Sequence, residues 1–175
     1  GRKAMPPELA MQMPIIKDVL RAMNIEILEL EGYEADDIIG TVAQEAEKAM
    51  IQPLIITGDK DALQLVSERT RVIITKRGIT DFELYDPAKM KERYNLTPKQ
   101  FIDLKGLMGD SSDNIPGIPG VGEKTGIKLL EQFGSIDNML AHTDEISAQK
   151  LRNKVEENAQ LALMSKRLDT INVNV

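Results

Sequence analysis

The chain has 175 residues, 42% hydrophobic and 29% charged, enough for one compact domain or two small ones and unlike a disordered chain. Its formal charge is −6, from 22 basic and 28 acidic residues, with no cysteine, no tryptophan and a single histidine, His142. Disulfides, thiolate or histidine-rich metal sites and aromatic stacking platforms are thereby excluded, and no apolar run approaches the roughly 18 residues of a membrane helix.

The chain begins Gly1-Arg2-Lys3, without a methionine, in a polar stretch holding Pro6 and Pro7, and further sequence is expected ahead of it. From residue 7 to about 23, Leu9, Met13, Ile16, Val19, Leu20 and Met23 follow the spacing of an amphipathic helix. Residues 25–30 alternate and predict a strand. A second helix is predicted from residue 33 to about 50, with Ala35, Ile38, Ile39, Val42, Ala43 and Ala46 on its apolar stripe. Residues 54–57 form a short apolar run, typical of a strand buried on both faces. A short helix over 61–66, a buried strand over 71–75 and a hairpin arm over 80–84 across Gly78 follow. This order predicts an α/β unit with a mainly parallel sheet. From about residue 86 the pattern turns helical. Helices are expected from Asp86-Pro87 to Tyr94, from a Thr97-Pro98 cap to Met108, and over 123–132. Residues 170–175 alternate like a strand. His142 falls in a polar turn and reads as a solvated loop residue.

The acidity is local. Seven acids fall in three tight clusters, and without them the acids number one fewer than the basic residues. Glu34, Asp36 and Asp37 open the second helix. The helix dipole favours acids there by about 0.3–1 kcal/mol each, but three crowded together repel unless a cation is near. Asp59 and Asp61 follow the 54–57 strand, at the edge where open α/β sheets place ligands; each could instead be a helix cap. Asp110 and Asp113 stand around a turn that could aim both carboxylates at one point, or merely close the turn. A strong metal site must here use oxygen ligands, which favours Mg²⁺ or Mn²⁺, and two such ions need several carboxylates to balance four positive charges.

The segment from Ile115 through Pro116, Gly117, Ile118, Pro119, Gly120, Val121, Gly122, Glu123, Lys124 to Thr125 leads into a helix. Its glycines permit tight turns and close approach of a phosphate to backbone N–H groups. Lys124 and Lys128 would add salt-dependent, sequence-independent affinity for a nucleic acid. The loop lacks the Gly-Lys-Ser/Thr ending of a Walker A loop, and a plain glycine-rich turn is the structural alternative.

These segments resemble the 5′-nuclease domains of bacterial DNA polymerase I, within the flap endonuclease family. The resemblance is carried by Gly32-Tyr33-Glu34-Ala35-Asp36-Asp37-Ile38-Ile39-Gly40, by Thr57-Gly58-Asp59-Lys60-Asp61 with Gln64-Leu65-Val66, by Leu107-Met108-Gly109-Asp110-Ser111-Ser112-Asp113-Asn114-Ile115-Pro116-Gly117, and by Gly120-Val121-Gly122-Glu123-Lys124-Thr125. It implies an α/β core with a mainly parallel sheet flanked by helices (PIN-like), over residues 1–96, and a helical helix-hairpin-helix DNA-binding domain over 97–175. It implies a metal-dependent 5′-3′ exonuclease or flap endonuclease that hydrolyses DNA or RNA primers near a single-strand/duplex junction, in replication and repair. Glu34 and Asp36, with Asp37 close by, would belong to a first Mg²⁺ or Mn²⁺; Asp59, Asp61, Asp110 and Asp113 to a second. The hairpin would grip duplex DNA through Gly117, Gly120, Val121, Gly122, Lys124, Thr125 and Lys128, and hold a K⁺ on main-chain carbonyls. Arg2 matches a basic residue at the end of the family's arch over the single strand.

The implied partners are DNA with a 5′ flap or nick, an RNA primer on DNA, and a polymerase fused to or acting with the nuclease; the implied setting is a monomer in the bacterial cytoplasm. The family also carries an Asp on an N-terminal strand and another before the arch, for which this sequence has no matching positions. The expectation is therefore retained cation binding with weakened cleavage. A stand-alone 5′ nuclease and a non-catalytic DNA-binding fragment are the rival readings. A phosphoacceptor receiver domain also pairs acids at strand ends, but explains neither the third cluster nor the glycine hairpin.

Overall fold

Two prolines start the first helix, because proline at the first helical position is already fixed in φ and needs no N–H partner. Helix α1 spans Pro7–Ala22 in the computed structural model, which describes residues 4–77 and 80–175. Arg2 and Gly78, each part of an expectation above, lie outside those residues. The apolar stripe of α1 is present but uncovered: the helix has no buried residue, and Ile16 and Val19 are about half exposed.

The strand expected over 25–30 does not form. Alternation favours a strand only where a neighbour supplies ladder bonds, and no described strand pairs with this stretch. Helix α2 (Ala35–Lys48) follows and turns Gly40 and Ala43 inward.

Strands β1 (Leu54–Thr57), β2 (Arg71–Arg77) and β3 (Asp81–Tyr85) form one sheet in that order. β1 and β2 are parallel, with Ile56 opposite Ile73. β2 and β3 are antiparallel, with Ile73 opposite Leu84. The sheet is therefore small and mixed. β1 is not buried on both faces: Ile55 is buried, while Leu54 and Ile56 are more than half exposed. Register places Ile56, Ile73, Leu84 and Phe82 on one face and Ile55, Val72, Ile74 and Tyr85 on the other, which is the core face. Between β1 and β2, Lys60–Leu65 makes a 3₁₀ turn that buries Ala62 and Leu63.

Two predicted helix starts in the helical half carry their own side-chain caps. The Asp86 carboxylate accepts the Lys89 N–H at 2.7 Å and opens α3 (Pro87–Tyr94). Thr97 and Gln100 bond reciprocally at the start of α4 (Pro98–Met108). Helices α5 (Glu123–Phe133), α6 (Ile136–Ala141), α7 (Gln149–Glu157) and α8 (Ala159–Asp169) follow. α4 is the central strut. It packs on α5, α6, α8 and the 3₁₀ turn, and buries Phe101, Leu104 and Leu107. One continuous core runs from Val72 and Tyr85 through Met90, Leu104 and Leu107 to Ile136, Val155 and Ala162.

At Gly106, α8 comes close to α4. A Cβ there would lie 2.7 Å from Lys166 Cβ and 2.9 Å from Lys166 Cα. The final residues, 170–175, form no strand. Their amides bond to side chains instead: Ile171 to Gln64 Oε1 at 2.9 Å, Asn172 to Asp37 Oδ1 at 2.8 Å and Val175 to Thr41 Oγ1 at 3.1 Å. No described helix is long and apolar enough to cross a membrane.

Candidate metal centre and its neighbours

A cleft of about 780 Å³ opens between the start of α2, the end of β1, the loop after α4 and the end of α8. Glu34, Asp36, Asp37, Asp59, Asp61 and Asp113 line it, together with Asn114, Ile115 and Asp169. Three sequence-distant clusters thus meet at one place, the sheet edge expected from the position of Asp59 and Asp61 after β1.

Within the cleft the acids differ in their duties. One oxygen each from Asp61, Asp110 and Asp113 lies within 4.8 Å of the others, a spacing that suits a shared cation. Asp59 is not in that trio; its Oδ1 accepts the Asp61 N–H at 2.9 Å and caps the 3₁₀ turn, while its exposed side chain still faces the cleft. Asp37 is engaged too, taking the Glu34 N–H at 3.4 Å and the Asn172 N–H at 2.8 Å. Asp36, between them, has its pKa raised by burial and then by the charges of Asp59, Asp61, Glu34 and Asp37. A group held in that way gains from a cation brought near.

Asp110 and Asp113 are presented by the loop after α4. Asp110 N–H and Ile115 N–H exchange bonds with each other's carbonyls at 2.8 and 2.7 Å, closing the loop. The loop is pinned where Gly109 and Gly117 cross. Both have positive φ, and a Cβ on Gly117 would lie 2.3 Å from Gly109 N. Gly117 is buried and its N–H donates to Ser165 Oγ at 3.0 Å, so that N–H is not offered to a phosphate. The side-chain-free approach of Gly117 to Gly109 shapes the acidic loop.

The sequence reading missed two groups. Lys105, 9% exposed, places Nζ 2.7 Å from Asp61 Oδ1 and 2.6 Å from Asp110 Oδ2. It stands where the carboxylates of two separate clusters converge, as their counter-ion. Asp110 is held well below the usual carboxylate range, by Lys105 first and then by Ser112, whose N–H also donates to it at 2.7 Å. Asp61 moves the other way: burial raises its pKa, and the ammonium only partly offsets that. Lys105 itself is raised by these hydrogen bonds, which outweigh its desolvation. Asp169 is the other missed group. It is 7% exposed, and its Oδ2 has no hydrogen-bond partner among the described residues. The available signal was small: an acid in the last turn of a helix sits at the unfavourable end of the dipole.

The remaining predicted residues lie outside the cleft. Val121 is buried as a core residue. Gly120, at φ +80, is exposed, and a Cβ on it would lie 2.6 Å from Lys154 Nζ, which donates to Pro119 O at 3.2 Å. Gly122 caps α5, and Thr125 is partly buried on its first turn. Lys124 and Lys128 are exposed on the same helix. His142 is exposed, as expected, with Nδ1 2.9 Å from the Asn138 carbonyl.

Comparison with known proteins covers both halves. Residues 1–95 match the family described as the 5′-3′ exonuclease N-terminal resolvase-like domain, and residues 96–175 its C-terminal SAM fold. DNA polymerase I of Bacillus subtilis (strain 168) is 58% identical over 171 residues, 98% of this chain, and that of Geobacillus stearothermophilus is 53% identical over the same length. The chain spans about one fifth of those proteins (19% and 20%). Among solved structures, a zinc-bound T5 5′-exonuclease superposes with a TM-score of 0.80 at 23% identity, covering 97% of this chain and 64% of that one. The catalytic core of Rad2 in complex with DNA superposes with a TM-score of 0.64 at 18% identity, covering 97% and 57%. These two likenesses are of fold.

Proposed function

The chain belongs to the 5′-3′ exonuclease family, and on that premise we propose that it carries the divalent-metal and duplex-gripping parts of a phosphodiester hydrolase acting at 5′ ends of DNA. The observation that carries this reading is the convergence of Asp61, Asp110 and Asp113 within 4.8 Å in a cleft also lined by Glu34, Asp36 and Asp37. The donor set is all carboxylate oxygen, the chemistry that Mg²⁺ and Mn²⁺ prefer. Asp61, Asp110 and Asp113 would hold one cation, with Asp59 beside it; Glu34, Asp36 and Asp37 would attend the other. Cations bound there would stabilise the charge on the attacking and leaving oxygens of an in-line displacement.

The chain's own residues prepare that chemistry. Burial and crowding keep Asp36 and Asp61 poised to gain from a cation, and Lys105 holds two ligands at fixed positions before one arrives. The exposed Lys124 and Lys128, with the turn from Gly120 to Thr125, would bind the duplex backbone, and main-chain carbonyls of that turn would take a K⁺. Residues 1–96 would supply Glu34, Asp36, Asp37, Asp59 and Asp61 to the metal centre, and 97–175 would add Asp110 and Asp113 and hold the DNA. Flapped or nicked DNA and RNA primers are the proposed substrates, a polymerase the proposed companion, and the bacterial cytoplasm the proposed setting.

The test is a Mg²⁺- or Mn²⁺-dependent cleavage assay on a 5′-labelled flap, with binding read in Ca²⁺. The expected result is metal-dependent binding and cleavage, both reduced in Asp61→Ala and Asp110→Ala. Binding and cleavage indifferent to both substitutions would refute the placement of the metal.

A further inference from the structure

Lys105 presents a conflict. Its ammonium occupies two of the three carboxylates that would share a cation, bonding Asp61 Oδ1 at 2.7 Å and Asp110 Oδ2 at 2.6 Å. A divalent cation entering that trio places like charges side by side at short range. The ammonium cannot leave for solvent without cost, because Lys105 is buried in the last turn of α4. It needs another anion in reach.

Asp169 fits that requirement. It ends α8, the helix packed directly on α4, and it lines the same cleft. It is 7% exposed, and its Oδ2 is left without a hydrogen-bond partner among the described residues. A buried, unpartnered carboxylate oxygen is costly unless another state of the protein uses it. Asp169 and Lys105 already lie within electrostatic range of each other. The close approach of α8 at Gly106, next to Lys105 in sequence, fixes Asp169 at that height.

We propose that Asp169 is a positioning residue of the metal centre: it accepts the Lys105 ammonium when a divalent cation takes Asp61, Asp110 and Asp113. The inference rests on the metal reading above and adds to it a residue outside all three acidic clusters. Asp169 acts through Lys105, not as a ligand, so its effect must vanish when Lys105 carries no charge.

Mn²⁺ binding to the full chain is measured by titration calorimetry, for the unaltered protein, Asp169→Asn, Asp169→Ala, Lys105→Met and the Lys105→Met/Asp169→Asn pair, with helical content checked by circular dichroism. Asp169→Asn and Asp169→Ala are expected to weaken Mn²⁺ binding about 10-fold or more, the scale of lost supporting contacts at metal sites. In the Lys105→Met background, Asp169→Asn is expected to change it less than twofold. Unaltered binding in Asp169→Asn overturns the inference. So does an equal loss in both backgrounds, which would mean simple charge attraction or a structural role. If the unaltered chain binds no Mn²⁺, the metal reading itself fails; if it binds and only the Asp169 effects are missing, that reading stands and the inference alone falls.

Discussion

Gly106→Ala sets two local forces against each other. Alanine stabilises a helix interior by about 1 kcal/mol relative to glycine. At residue 106, however, the added Cβ would lie 2.7 Å from Lys166 Cβ and 2.9 Å from Lys166 Cα. An ordinary carbon contact needs about 3.5–4.0 Å, so α8 must retreat by close to 1 Å, and a backbone atom cannot rotate aside. Overpacking of this kind costs about 1–3 kcal/mol. With the backbone as the obstacle we place it in the upper half, which leaves a net loss of roughly 1–2 kcal/mol. For a chain of this size that corresponds to a Tm lower by about 2–8 °C. Gly126→Ala is the matched control. There the Cβ would meet Leu104 Cδ1 at 2.6 Å, the far end of a flexible side chain, so the propensity gain largely offsets the adjustment and Tm is expected to hold within about 2 °C. Thermal unfolding by circular dichroism reads both. A Gly106→Ala protein as stable as the unaltered one, or more so, would refute the argument that backbone proximity sets the α4–α8 distance.

Ser165→Ala leaves the buried Gly117 N–H without its acceptor, now 3.0 Å away, and is expected to cost about 1–3 kcal/mol in denaturant unfolding; a change below 0.5 kcal/mol would mean water replaces the hydroxyl. Asp169 has its pKa raised to about 6, chiefly by burial, against an ordinary 3.8. The unfolded chain thus releases this proton first, and metal-free stability falls as pH rises from about 4 to 6. Asp169→Asn should therefore raise Tm at pH 7 by more than at pH 4, and an equal change at both values would refute the assignment. Lys124→Ala and Lys128→Ala are each expected to weaken duplex binding without regard to sequence and to lower the salt slope by about one; an unchanged slope would place these lysines off the DNA.

Elements whose determinants are local could be read directly. Thr97 and Gln100 cap α4, Asp86 caps α3, and both helices start where those residues predict. The three acidic clusters were legible as residues, and Asp59 and Asp61 fell at the sheet edge because the end of β1 places them there, whereas Asp110 and Asp113 reach the same cleft only through the packing of α4. Residues 25–30 had the pattern of a strand and did not become one, since a strand is defined by a neighbour, and pattern carries no information about whether one is present. β1 was read as doubly buried from its apolar run, but burial of Leu54 and Ile56 depends on what covers that face.

Sequence by itself determined the chemistry available: oxygen ligands only, concentrated in three short segments, with a glycine hairpin behind them. Tertiary structure decided how those groups are divided. It assigned Gly117 to packing, because Gly109 crosses it at a distance no side chain allows. It placed Lys105 between Asp61 and Asp110, and brought Asp169 from the far end of the chain into their cleft. A residue's charge is written in its codon, but its partner is chosen by helix packing over tens of residues. The identity of the acids was therefore legible, and the counter-ion arrangement that governs them was not.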